Sequence, residues 1–147
     1  TLSNPSEVTL NDAIGVLTIT DDDAVPSLSI ADLTTPDETG VPHLIAVTLS
    51  AASSQAVTVD YATADATATA TNDYVSETGT LTFNPGETSK TISVTIVQDS
   101  LDEVNETFTI GLSNPTNSTI SSATGTVTIT DDEVTPTLSI LLKLSTA

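Results

Sequence analysis

The chain has 147 residues and carries 20 Asp and Glu against 2 Lys and Arg, a formal net charge of −18. A surface this acidic is repelled by phosphate groups and by anionic lipid heads, so nucleic acid is excluded as a partner. Hydrophobic residues make up 37% of the chain, which is enough to build a core and argues against disorder. Since no stretch approaches the roughly 18 apolar residues of a membrane-spanning helix, we expect a folded domain without direct membrane insertion.

Alternating apolar and polar residues recur along the chain with the period of two that is typical of strands with one buried face. The strands are predicted near residues 27–31, 44–50, 57–62, 81–83, 92–96, 108–112 and 127–129. Residues 63–73 are predicted to form a longer connection, and Pro85 with Gly86 predicts a tight turn. Seven short strands predict an all-β, immunoglobulin-like antiparallel β-sandwich.

The two ends of the chain repeat each other. Residues 2–5 (Leu-Ser-Asn-Pro) recur as 112–115 and residues 28–30 (Leu-Ser-Ile) as 138–140, at a constant offset of 110 positions. A fixed period indicates a tandem array of like units. We expect residues 1–25 to be the last strands of a preceding unit, 26–135 a complete unit, and 136–147 the truncated first strand of a following one. The chain is then an internal piece of a longer protein.

Acidic residues are concentrated where four of the predicted strands end. The first, third, fifth and seventh strands of such a sandwich leave at the same end, so the acids that follow them converge. These candidate ligands are Glu38, Asp65, Asp99, Glu103, Glu106, Asp131, Asp132 and Glu133. Asp21, Asp22 and Asp23 repeat the last three and predict an incomplete site of the preceding unit. Converging carboxylates repel one another unless a cation lies between them.

Calcium is the predicted ion, because it takes 6–8 oxygen ligands in irregular geometry. Zinc is disfavoured, since the chain has no Cys and only one His, His43. Magnesium is a weaker alternative because it keeps more waters. The plainer interpretation is that acids at strand ends are solvated turn formers, and four converging groups together with the repeated acidic triplet weigh against it.

The chain resembles the Calx-beta domain of sodium/calcium exchangers, integrin beta-4 and large bacterial surface proteins. The motifs that carry this resemblance, in the family's order, lie at residues 57–65, 72–74, 79–87, 103–108 and 125–133. The resemblance implies a seven-stranded immunoglobulin-like sandwich that binds several calcium ions at one end.

Position by position, the resemblance implies the same eight ligands. It places Glu38 after the first strand, Asp65 in an Asp-Gly-Thr-Ala turn and residues 131–133 in the closing acidic triplet. Ala66 stands where the family has Gly, and Gln98 and Ser100 stand where the most calcium-avid members have acids. Glu133 stands where Asp is usual, and the smaller number of acids implies fewer ions or weaker binding.

The predicted function is that of a calcium-binding repeat of a large extracellular surface or adhesion protein, in which calcium stiffens the joint to neighbouring repeats. Other surface proteins or matrix are further expected partners, and the segment is not expected to be an enzyme. A metal-independent acidic spacer and a calcium sensor module of a membrane protein remain as alternatives. A glycosidase with two carboxylates is disfavoured because aromatic residues that stack on sugars are scarce.

Overall fold

The computed structural model describes residues 14–20, 22–35, 37–38 and 40–140. Within these residues the chain forms nine strands and no helix, so no described helix is long and apolar enough to cross a membrane. The strands are β1 (Ser27–Ile30), β2 (Leu33–Thr34), β3 (Pro42–Leu49), β4 (Val57–Asp65), β5 (Thr78–Phe83), β6 (Ser89–Thr95), β7 (Glu106–Thr116), β8 (Thr119–Ser122) and β9 (Thr124–Ile129).

The strands form two sheets that pack face to face. One sheet has the order β6-β3-β1-β8 and the other the order β2-β9-β7-β4-β5. All pairs are antiparallel except β1 with β8 and β2 with β9. The predicted all-β sandwich is confirmed.

The core lies between the sheets and consists of the residues at alternate positions of the strands. In β3, Ile45, Val47 and Leu49 are buried while the intervening residues face outward. Branched aliphatic residues supply most of the buried surface, as expected from their preference for strands. Two aromatic rings complete one end of the core, where Tyr74 stacks on Phe108 with a centroid distance of 3.9 Å.

Two short strands, β2 and β8, add to the seven predicted ones. The chain leaves the first sheet after β1 and joins the second at β2, where Leu33 pairs with Val127. It can cross at this point because Gly125 has no side chain, and a Cβ there would lie 2.6 Å from the carbonyl oxygen of Ala31. The sequence did not predict β2 and β8, because strands of two and four residues are too short to show an alternating pattern of apolar and polar side chains.

The β5–β6 turn forms as predicted. Gly86 has φ 89°, and the amide of Glu87 donates to the carbonyl oxygen of Asn84 at 2.9 Å. Lys90, near the start of β6, forms an ion pair with Glu87 at 2.8 Å. The one lysine in the described part of the chain therefore lies in an ion pair at one end of the sandwich. The exits of β1, β4, β6 and β9 are at the opposite end.

Candidate metal centre

The exits of β2, β4, β6 and β9 meet at one end of the sandwich, which we call the acidic pole. Strand β2 continues β1 and runs parallel to β9. Strands β4 and β9 are both antiparallel to β7, so they run in the same direction. Strands β1 and β6 are both antiparallel to β3, so they also share one direction. The strand directions expected from the sequence are thus the observed ones. The acids that follow these strands are brought to the same end.

Three carboxylates form the tightest group at this pole. Asp73, Glu103 and Glu106 each offer an oxygen, and these oxygens lie within 4.8 Å of one another. Asp73 comes from the β4–β5 loop, Glu103 from the β6–β7 connection and Glu106 is the first residue of β7. Loss of hydration and the charge of Asp73 raise the pKa of the Glu106 carboxyl, which shows how closely the negative groups approach.

An open cavity of about 570 Å³ lies over these carboxylates. Its lining consists of polar groups of the β4–β5 loop, the four nearby acids and one aliphatic side chain. The lining residues are Thr67, Thr69, Thr71, Asn72, Asp73, Asp99, Leu101, Glu103 and Glu106. The space in front of the acids is therefore surrounded mainly by oxygen atoms.

A second group of acids adjoins the first around Glu38. The Glu38 side chain is only 8% exposed, and burial, as the largest cause, raises the pKa of its carboxyl to about 7. Negative charges add to this shift, in decreasing order those of Glu133, Asp99, Glu103 and Asp131. Five of the eight predicted ligands thus interact electrostatically at one place.

Backbone contacts at the end of β9 hold the segment that carries Glu38. Thr35 is buried, its amide donates to the carbonyl oxygen of Thr128 at 2.9 Å and its carbonyl oxygen accepts from the Thr130 hydroxyl at 2.7 Å. Glu38 follows three residues later and Asp131 directly follows Thr130. The β2–β9 pairing therefore brings the segments that carry these two acids to the same end of the sandwich.

The loops of the pole are also joined through the acids themselves. Asp131 Oδ1 accepts from the amide of Glu103 at 3.0 Å, and Asp99 Oδ1 accepts from the amide of Leu101 at 2.7 Å. Asp132 is exposed, and its charge, after loss of hydration, raises the pKa of the Glu133 carboxyl. Each member of the acidic triplet thus lies at the pole.

Two carboxylate oxygens near the pole are buried without a hydrogen bond. They belong to Glu133 (Oε2) and to Asp37 (Oδ1). A buried acceptor without a donor is unfavourable, and no lysine of the described residues lies at this end of the molecule to compensate. The residues present therefore fit a cation, which would supply the missing partner.

Asp65 differs from the other predicted ligands. Its Oδ1 accepts from the Tyr74 hydroxyl at 2.6 Å and from the amide of Ala70 at 2.9 Å. These hydrogen bonds, that of Tyr74 first, lower the pKa of the Asp65 carboxyl, whereas loss of hydration, as the largest cause, raises the pKa of Glu38, Glu103, Glu106 and Glu133. Asp65 is not among the charges that act on Glu38.

Asp73 is the site residue that sequence reasoning missed. It lies at the end of the segment predicted as a long connection, and the residues before it gave no indication of where the loop folds back. The Asn-Asp-Tyr motif at residues 72–74 was the available signal, since an acid directly before a buried tyrosine is held close to the core.

The donor set fits a hard divalent cation. Within the described residues the grouped ligands are all carboxylates, with hydroxyl and amide oxygens beside them, and calcium prefers such oxygen ligands. The only imidazole, that of His43, has a buried Nε2 without a hydrogen bond and does not belong to the acidic group. The fold and this pole define an immunoglobulin-like sandwich with an acidic end.

Comparison with known proteins identifies the family. A family model described as the Calx-beta domain matches residues 20–133, and the chain belongs to the Calx-beta domain family. Sodium/calcium exchanger 1 of Mus musculus is 48% identical over 61 residues, which are 42% of this chain and 6% of the exchanger. The chain thus spans a small part of the length of the curated relatives it matches.

Solved structures agree with this family. The chain is similar to the apo-form Calx CBD1 domain, with a TM-score of 0.70 and 27% identity over 75% of this chain and 100% of that one. It is also similar to the calcium binding domain CBD12 of CALX1.1, with a TM-score of 0.67 and 28% identity over 72% of this chain and 46% of that one. The predicted family and immunoglobulin-like sandwich are confirmed.

Proposed function

We propose that the acidic pole binds calcium ions at two adjoining positions. Asp73, Glu103 and Glu106 surround the first position. Glu38, Asp131 and Glu133 surround the second, and Asp99 lies between the two groups. The observation that carries this proposal is the approach of the Asp73, Glu103 and Glu106 oxygens to within 4.8 Å, because three like charges at this distance repel one another and a cation between them relieves the repulsion.

The resemblance to a domain whose title names calcium binding supports the choice of ion. The chemistry of the pole supports it independently, since loops from separate strands supply oxygen ligands in an irregular arrangement. Of the eight predicted ligands, we keep six for the ion positions and add Asp73; Asp132 is exposed and is assigned to neither position. Asp65 is assigned to neither ion position, since its Oδ1 already accepts two hydrogen bonds.

Calcium at this pole has a structural role in our proposal. The pole is the end from which the chain continues through Val134 and Thr135 toward residues 136–140. An ion held by Asp131 and Glu133 fixes the start of this segment relative to the sandwich. We infer that the chain is a repeat of a larger extracellular surface or adhesion protein, with neighbouring repeats as its first partners.

A calcium sensor module of a membrane protein is the second candidate. The similarity to sodium/calcium exchangers favours it, and the ion-binding chemistry is the same. The two candidates differ in affinity, because extracellular modules bind calcium with dissociation constants of order 10⁻⁴–10⁻³ M and sensors with about 10⁻⁷–10⁻⁵ M. Calorimetric titration with calcium distinguishes them.

Thermal unfolding with and without calcium tests the proposal. At a calcium concentration tenfold above the dissociation constant, one site adds about 1.4 kcal/mol to the free energy of unfolding. For a domain of this size, such a gain raises the unfolding midpoint by roughly 5 °C or more. We expect this rise with calcium and a smaller one with the same concentration of magnesium.

Variants locate the effect at the pole. Asp73→Asn and Glu103→Gln each remove one ligand of the first position and should reduce the calcium-induced rise. Glu87→Gln removes one negative charge at the opposite end of the sandwich and should leave the rise unchanged. An unfolding midpoint that calcium does not move in the unsubstituted chain refutes the proposal and leaves an acidic spacer as the function.

A further inference from the structure

The β4–β5 loop presents Asp73 to the pole although it spans twelve residues between its strands, 66–77. Loops of this kind are usually mobile at the surface, and a mobile ligand binds a metal poorly because ordering it lowers the affinity. The contacts that fix this loop therefore bear directly on the affinity of the site.

Asp65 joins three points of this loop. It is the last residue of β4, and its Oδ1 accepts hydrogen bonds from the middle of the loop, at the amide of Ala70 (2.9 Å), and from its end, at the Tyr74 hydroxyl (2.6 Å). Hydrogen bonds to an ionised carboxylate are roughly twice as strong as neutral ones. One carboxylate thus closes the loop into a compact unit.

Tyr74 connects this unit to the rest of the site. Its side chain is 1% exposed and its ring stacks on Phe108 at 3.9 Å with an interplanar angle of 7°. Phe108 follows Glu106 by two positions on β7, and Tyr74 directly follows Asp73. The position of one ring on the other therefore fixes Asp73 relative to Glu106.

The backbone of Asp73 is tied to a third element. Its carbonyl oxygen accepts from the amide of Val97 at 2.9 Å, at the point where β6 leads to Asp99. Within the loop, Asp73 Oδ2 accepts from the amide of Thr69 at 2.6 Å. The Asp65 contacts hold the same short segment at Ala70 and Tyr74.

We propose that Asp65 is a positioning residue, which acts through Tyr74 and Ala70 to hold Asp73 in the geometry that binds calcium and does not itself ligate the ion. This inference rests on the proposed function. It assigns to Asp65 a role that differs from that of the other acids of the pole, and it makes the Tyr74 hydroxyl part of the machinery of the site.

Calorimetric calcium titration of the full chain tests the inference with four variants. Asp65→Asn and Tyr74→Phe each weaken the charge-assisted hydrogen bond, and we expect either one to lower calcium affinity about 10-fold or more, as changes in groups that orient metal ligands do. The number of bound ions should stay the same. The double variant should bind about as weakly as Asp65→Asn alone, because the contact that Tyr74→Phe removes is one of the two that Asp65→Asn already weakens.

Asp60→Asn is the matched control. Asp60 lies on the same strand, β4, and accepts from the Thr80 hydroxyl at 2.6 Å and from Asn114 at 3.0 Å. Its substitution removes the same charge and also disturbs two hydrogen bonds, but its partners lie on β5 and β7 and not in the β4–β5 loop. We expect its calcium affinity to remain within about twofold of that of the unsubstituted chain, as for surface changes away from such sites.

A spectroscopic readout separates positioning from a general loss of stability. In a Tyr61→Phe background Tyr74 is the sole tyrosine of a chain without Trp, so its emission reports on the hydroxyl contact. Asp65→Asn should change this emission in the calcium-free chain and speed hydrogen exchange at the amide of Ala70, while exchange at Val59 in the middle of β4 stays slow. If Asp65→Asn does not fold, Tyr74→Phe carries the test alone, since its ring can remain stacked on Phe108.

The outcomes separate this inference from the proposed function. If the unsubstituted chain binds no calcium, both are overturned. If it binds calcium but Asp65→Asn removes one bound ion while Tyr74→Phe binds normally, Asp65 is a ligand and only the positioning role is overturned. Affinities of Asp65→Asn and Tyr74→Phe that equal that of Asp60→Asn overturn it as well.

Discussion

At the scale of single residues, the acidic pole is a group of like charges whose mutual repulsion opposes folding. Glu38 shows this most clearly, because its carboxyl is buried and surrounded by other acids and yet only one lysine lies in the described residues. The carboxyl gives up hydration without gaining an ion pair, and its pKa rises from 4.5 to about 7. A proton taken up below about pH 7 neutralises this carboxyl in the folded chain without a metal.

This shift predicts how the stability of the calcium-free chain depends on pH. The folded state holds the Glu38 proton more tightly than the unfolded state, so the stabilisation is fully present below about pH 4.5 and is lost as the pH rises through about 7. The raised pKa values of Glu103, Glu106 and Glu133 act in the same direction. We expect the unfolding midpoint in EDTA to fall between about pH 5 and about pH 8.

Glu38→Gln identifies the contribution of this group. It removes the buried charge, so it should raise the midpoint at about pH 8 and reduce the fall between the two pH values, while the calcium response weakens. Glu87→Gln serves as the control, since hydrogen bonding to Lys90, as the first cause, lowers the pKa of Glu87 and its effect lies at more acid pH. Equal pH dependence in Glu38→Gln and the unsubstituted chain would contradict the assignment of the shift to Glu38.

The residues of the site could be predicted as a group but not one by one. Glu38, Asp99, Glu103, Asp131 and Glu133 come together because strand directions decide where loops meet, and strand directions follow from counting alternating segments. The roles of Asp65 and Asp73 depend on how the loop between them folds. That fold is set by the Tyr74 hydroxyl and the Phe108 ring, which no spacing in the sequence connects.

At the scale of elements, the point where the chain passes from one sheet to the other is the most constrained. Residues 31 and 32 cross between β1 and β2, and Asp32 Oδ1 accepts from the amide of Thr126 at 2.7 Å. The crossing strand lies directly against β9 at Gly125. Alternation predicts both β1 and β9 but cannot reveal that they touch here, since a crossing is a contact between distant residues.

Replacement of Gly125 tests this close approach. A Cβ at Gly125 would lie 2.6 Å from the Ala31 oxygen and 3.0 Å from Ile30 Cγ1, so Gly125→Ala must move β1 or β9. We expect a loss of about 1–3 kcal/mol in the free energy of unfolding, as for other overpacked sites. Urea denaturation at fixed calcium measures it.

Gly111→Ala is the control for the same substitution. On β7 a Cβ at Gly111 has its nearest neighbour, the Ala62 oxygen, at 4.0 Å, which is an ordinary contact. Alanine in a strand is favoured over glycine by roughly 0.5–1 kcal/mol, so Gly111→Ala should be neutral or stabilising. Similar losses in both variants would show that the crossing is not specially constrained.

At the scale of the whole molecule, the repeat explains apolar residues that the sandwich does not use. Leu17 and Ile19 are 87% and 88% exposed, whereas Val127 and Ile129, 110 positions later, are buried in β9. Leu138 is likewise exposed, and its counterpart Leu28 is buried in β1. We infer that residues 14–20 are the last strand of a preceding unit and residues 136–140 the first strand of a following one.

The predicted division of the chain is a proposal at both ends. Residues 1–13, Asp21 and 141–147 lie outside the described residues, so the repeated Leu-Ser-Asn-Pro at residues 2–5 and the full Asp21–Asp23 triplet cannot be placed on the structure. Gly15 offers an independent argument, because Gly125, its counterpart, is required for a close approach to β1. A glycine at the same place in the preceding unit would serve the same crossing.

The exposed apolar side chains of residues 14–20 predict self-association of this chain. The described residues 14–20 form no strand, and Leu17 and Ile19, two positions apart, expose apolar side chains on a segment that can pair with the edge of a sheet in a second copy. We expect sedimentation velocity to show association that increases with chain concentration. The exposed side chains of Leu17 and Ile19 drive this association without stabilising the core.

A double substitution separates these effects. Leu17→Ser with Ile19→Ser should abolish association and change the free energy of unfolding by no more than about 0.5 kcal/mol, because both side chains are exposed. Val127→Ser, at the buried counterpart of Leu17, should destabilise the fold strongly by placing a hydroxyl in the core. Two results would contradict this prediction: a chain that remains monomeric at every concentration, or association that survives the double substitution. Either result would show that residues 14–20 do not pair with a sheet edge of a second copy.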